Sequence, residues 1–153
     1  MNLNIWFWIH ISLFLSGVLG LVTALGTAVL YLWQSAQLKS KHPGKVFFRL
    51  PALDTLDRLH FRALGAGVIL FSLGILSGLF WASDLKAWRD ILRDPKVILS
   101  FFTCFLYWVL LCLRLSALRR GQKIAFGTLL AFALLFITFI SSYFAPSSFH
   151  RGL

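Results

Sequence analysis

Long apolar runs alternate with short polar segments along the whole chain. Ile5 to Trp33 contains no charged residue, and about 20 apolar residues already cross a bilayer. The surplus length implies tilt or an extension beyond the lipid. Trp6 and Trp8 mark one interface and Tyr31 and Trp33 the other, as expected of amphipathic aromatics. A second run, Ala63 to Ala82, carries Gly65, Gly67, Gly74 and Gly78; small residues at that spacing let helix backbones approach. The third run extends from Val97 to Leu113, and the fourth from Ile124 to about Ala145, where Pro146 stops it. The pattern predicts an all-α integral membrane protein: a four-helix transmembrane bundle with spans at about 5–33, 63–82, 97–113 and 124–145, forming one membrane domain over 1–153.

The polar segments have distinct characters. Residues 34–62 hold Lys39, Lys41, Lys45, Arg49, Arg58 and Arg62 against Asp54 and Asp57. Pro43-Gly44 is a turn signal, and Pro51 followed by Asp54 or Thr55 reads as the start and N-cap of the next helix. In the loop between spans 2 and 3, Leu85, Trp88, Ile91 and Leu92 fall on one helical face, with Lys86, Arg89, Asp90 and Arg93 on the others. This predicts a short helix lying in the membrane interface. Residues 114–123 form a tight basic turn with Arg114, Arg119, Arg120 and Lys123.

These charges set an expected orientation. With the 34–62 loop and the 114–123 turn inside, ten cations lie inside and five outside. The positive-inside rule then places both termini and the 83–96 loop on the outer side.

Composition supports a membrane protein and removes other classes. The chain is 59% hydrophobic and 13% charged, with 16 Phe and 6 Trp, whereas soluble proteins are usually about 25% charged. A net charge of +10 suggests nucleic acid, but the cations sit in loops beside apolar runs, where they serve orientation. Cys104 and Cys112 share one helix. Eight residues put them roughly 12 Å apart, beyond the reach of a disulfide at ~7 Å. The first run starts almost at Met1, lacks a basic leader and is too long for a signal peptide, so none is expected.

Two imidazoles stand out on this topology. His10 lies about one turn in from the outer end of the first span, and His150 follows Pro146 on the same side. A histidine within a span is a functional suspect because burying it in lipid is costly. Neutral imidazoles can ligate haem iron from both faces, with Trp81 and Trp88 covering the macrocycle and Arg89 pairing with propionates. The bland alternatives are a His10 that only hydrogen-bonds a neighbouring helix and a His150 that is a tail residue. His42 and His60 read as interfacial residues of the 34–62 side. No nucleophile–base pair, carboxylate within a span or phosphate-binding glycine loop is evident. Catalytic residues are therefore not assigned.

The run LPALDTLDRLHFRALGAGVILFSLGILSGLFWA at 50–82, followed by Asp94-Pro95-Lys96, an aromatic span ending near Arg114, a basic turn and SSYFAPSSFH at 141–150, resembles the cytochrome c assembly protein family, including its HemX-like branch. The likeness spans nearly the whole chain and corresponds to the C-terminal half of such a protein. It implies a haem site outside the membrane, ligated by a histidine before and another after a Trp-rich external segment; His10 and His150 match those positions. In that segment Trp88 and Asp94-Pro95 persist, while Arg93 stands where a Trp is usual and Val97 where a Glu is usual. Cys112 stands where many members carry a further histidine.

The expectation is a membrane subunit holding haem b non-covalently, since no Cys-x-x-Cys-His attachment motif is present. It would serve haem handling or electron transfer within a larger complex. The resemblance implies a bacterial inner membrane location, partner membrane subunits and a c-type cytochrome. The eroded Trp-rich segment leaves a second reading open: a haem-free structural or regulatory subunit on the same scaffold.

Overall fold

The computed structural model describes residues 3–40, 51–83, 94–116 and 121–144. All regular structure among the described residues is helical: α1 (Leu3–Ser40), α2 (Leu53–Ser83), α3 (Pro95–Leu115) and α4 (Gln122–Phe144). Each helix is long and apolar enough to cross a membrane. The expected interfacial helix falls on residues 84–93, which lie outside the described residues.

The helices overrun the expected spans because polar sequence can still be helical where it leaves the lipid. Helix α2 begins at Leu53, and its exposed first turns carry the Asp54–Arg58 ion pair at 2.5 Å, four residues apart on one face. Helix α3 starts where the sequence supplies a stop and a cap. Asp94 accepts a hydrogen bond from the Lys96 N–H at 2.9 Å, and Pro95 occupies the first turn, where a missing N–H costs nothing. Gly121, at φ 75°, turns the chain into α4 beneath the Tyr31 hydroxyl, a backbone geometry that side chains resist.

The bundle closes as a ring. Helix α1 packs most extensively on α2, α2 touches α3, α3 touches α4, and α4 returns to α1. Leu21, Ala24, Leu64, Val68, Phe71, Tyr107, Leu111, Ala131 and Leu135 form its core. Glycines bring α1 and α2 together backbone to backbone. A Cβ on Gly20 would lie 2.7 Å from Gly67 Cα, one on Gly67 2.8 Å from Leu21 N, and one on Gly74 2.8 Å from Phe14 Cα. A Cβ on Gly17 would collide with the Phe71 backbone. In lipid, where apolar surface gains little by meeting other apolar surface, such van der Waals contact drives helix association.

Hydroxyls in the interior are mostly satisfied locally. Ser72 Oγ donates to Val68 O at 2.7 Å and accepts from Trp108 Nε1 at 2.9 Å. Its proton being committed, the Cys104 thiol 3.2 Å away is the donor in that contact and links α3 to α2.

One end of the bundle, where α1 finishes and α2 begins, is polar and basic. Arg114 of α3 pairs with Asp57 of α2, their side chains only 9% and 21% exposed, and its guanidinium lies 5.8 Å over the Phe61 ring. Gln122 of α4 donates to Ser35 of α1 and accepts from Lys39 Nζ at 2.9 Å. His60, read from sequence as interfacial, is instead buried in the bundle with Nε2 3.0 Å from Thr128 Oγ1. Thr128 gives its own proton to Ile124 O at 3.1 Å, so the His60 Nε2–H is the donor. Sequence position alone suggests the helix base. The inward face of α2 decides the burial.

Two predictions follow from this packing. Gly67→Leu should sharply reduce the yield of folded, thermally stable protein in detergent, whereas Gly26→Leu, with nothing within 4 Å of its Cβ position, should leave it near wild type. Asp57→Asn, which leaves Arg114 buried without its counter-charge, should cost about 3 kcal/mol or more of unfolding free energy, measured by reversible denaturation in mixed micelles.

Candidate functional site

The opposite end of the α1–α2 pair is aromatic. Phe7, His10 and Phe14 recur three and four residues apart and so share one stripe of α1. That stripe runs antiparallel along α2 in a single register: Phe7 meets Trp81, His10 lies on Gly78, Phe14 lies on Gly74, and Gly17 lies on Phe71. Ring centroids are 5.3 Å apart for Phe7–Trp81, 6.4 Å for Trp6–Phe80 and 5.2 Å for Phe14–Phe71. Aromatic pairs at such distances add about 0.5–1.5 kcal/mol each to the area they bury.

His10 is half-buried in this stripe. Its Nδ1 lies 2.7 Å from the Gly74 carbonyl oxygen. A carbonyl can only accept, so Nδ1 carries the proton and the lone pair of the neutral ring is on Nε2. The ring lies over Gly78: a Cβ there would fall 2.7 Å from His10 Cε1 and 2.8 Å from Nδ1. Ser77 Oγ donates to the same Gly74 oxygen at 2.9 Å. Phe14 flanks the imidazole, with ring centroids 5.8 Å apart.

Of the residues singled out from sequence, the structure brings His10 and Trp81 to the same end of the α1–α2 pair, with Phe7 between them along the stripe. His150, Trp88 and Arg89 lie outside the described residues. Sequence reasoning missed Phe7, Ser77 and the Gly74 carbonyl. The spacing of Gly74 and Gly78 was a visible signal, but it pointed to helix packing; that Gly78 receives an imidazole depends on a helix register that a single chain's periodicity does not contain. A groove of about 470 Å³ lined by Ile5, Trp8, Ile9, Ser12 and Leu13 runs along the N-terminal half of α1, on a face His10 does not line.

A ring of four helices, each long and apolar enough to cross a membrane, defines the class: a polytopic helical membrane protein. The chain belongs to the cytochrome c assembly protein family, whose model matches residues 1–150. It is 27% identical to the cytochrome c biogenesis protein CcsA of Guillardia theta, over 95% of this chain and 53% of that protein. It is 32% identical to protein HemX of Brevibacillus brevis, over 80% of this chain and 44% of that one. The inner membrane protein YpjD of Escherichia coli K12 is 29% identical, over 88% and 49% respectively. The chain thus spans about half the length of these curated relatives. No solved structure matches it.

The aromatic end makes a measurable claim. In a double-mutant cycle, Phe7→Leu and Trp81→Leu should show a coupling energy of about 0.5–1.5 kcal/mol, read from denaturation midpoints of the single and double variants.

Proposed function

We propose that this chain is a haem-handling membrane subunit of cytochrome c assembly, holding haem b non-covalently at the outer face of the inner membrane. His10 supplies one axial ligand and His150 the other. The observation that carries this reading is the state of His10: its Nδ1 donates to a backbone carbonyl, and its Nε2 keeps the lone pair that iron requires. A histidine that only tied two helices together would account for the same hydrogen bond. Membership of the cytochrome c assembly protein family favours the ligand role over that one.

Among the described residues no three His, Cys, Asp or Glu side chains gather into a metal site. A porphyrin supplies the equatorial ligands of its iron, so one or two imidazoles suffice. His10, with His150 as the second imidazole, is a donor pair of the chemistry haem takes. Trp81 and Trp88 provide aromatic cover, and Arg89 provides a cation for a propionate. Bound haem would supply the iron chemistry; the chain's residues bind, orient and shield it. Both termini and the 83–96 loop belong on the outer side, as the charge asymmetry favours. Partner membrane components and a c-type cytochrome complete the working unit, a reading that the relatives named for cytochrome c biogenesis support. The name of the YpjD relative supports the inner membrane as the location.

Protein purified from haem-replete membranes should show a sharp Soret band that is lost in His10→Ala and in His150→Ala. A haem-replete preparation with no such band would overturn the haem reading and favour a haem-free structural subunit.

A further inference from the structure

We infer that Gly74, Ser77 and Gly78 of α2 form a positioning device that selects which nitrogen of His10 faces a metal and tunes how strongly it binds. This rests on the reading of His10 as a haem ligand. Three features of one helical turn carry it. The Gly74 carbonyl accepts a hydrogen bond from Nδ1–H at 2.7 Å and thereby fixes the tautomer. The absence of a side chain at Gly78 lets the imidazole lie against the α2 backbone, where a Cβ would stand 2.7 Å from Cε1. Ser77 Oγ donates to the same oxygen at 2.9 Å. That oxygen also faces the helix's own N–H four residues on, so His10 competes with other donors for its electron density.

Each feature has a distinct consequence. A hydrogen bond from the distal nitrogen of a ligating imidazole raises its basicity and holds the ring's orientation; losing such a partner typically costs 10–100-fold in metal affinity. The competing Ser77 hydroxyl weakens the His10–Gly74 bond and so moderates that basicity. Gly74 has a separate duty against the Phe14 backbone, so substituting it would part the helices. Gly78 is different: the obstacle to a Cβ there is the far end of the His10 side chain, which can swing away without moving either helix.

Three measurements test the device. In haem-free protein labelled with 15N-histidine, with His10 assigned by comparison with His10→Gln, the spectrum should show a protonated Nδ1 and an unprotonated Nε2. The opposite tautomer overturns the proposal. Gly78→Ala should keep wild-type helicity and thermal stability yet bind haem roughly 10–100-fold more weakly; unchanged affinity overturns it. Ser77→Ala should lower the reduction potential of bound haem by freeing the Gly74 carbonyl, and an unmoved or raised potential overturns the tuning. If wild-type protein binds no haem at all, that failure belongs to the ligand reading, and the nitrogen spectrum of the haem-free protein still decides the positioning.

Discussion

The contact on which this structure depends is the meeting of two backbones. Gly17, Gly20, Gly67 and Gly74 remove the side chains that would hold α1 and α2 apart, and their positions admit one antiparallel register. Slide one helix by a single residue and Cβ atoms replace hydrogens along the seam. The seam is therefore both adhesive and ruler. Because it fixes register, it also decides that a histidine of α1 comes to rest on a glycine of α2, beneath a carbonyl oriented to take its proton.

The two ends of this seam are chemically opposite. At one, charged and amide side chains from all four helices interlock: Arg114 with Asp57, and Gln122 with Ser35 and Lys39. At the other, aromatic rings pack around a single imidazole. Polar interlocking gives directional ties that hold the ring of helices closed. Aromatic packing gives apolar area around the imidazole. The proposed cofactor site lies at the second kind of end, and the polar ties at the other end hold the helices that carry it.

Much of the architecture was legible in the sequence because hydrophobic length is a direct record of membrane thickness. The four runs and the glycine-rich second helix are readable from residue types, whereas α3 begins at Pro95, two residues before the expected Val97. Contacts between helices were not. His60 sits in sequence among charged residues, and only the direction in which α2 faces shows that it bonds Thr128 inside the bundle. Tyr107 reads as one aromatic among many in its span, yet it is fully enclosed at the core. The site divides in the same way. His10 was visible as an unusual residue in an apolar run, whereas its carbonyl partner was invisible, since backbone atoms leave no mark on composition.

The Arg114–Asp57 pair bears on how the protein is made. Its members belong to different helical hairpins, α1–α2 and α3–α4, which leave the ribosome one after the other. Until the later hairpin docks, its guanidinium has no carboxylate beside it and is poorly suited to hydrocarbon. Docking of the two hairpins and neutralisation of that charge are consequently one event.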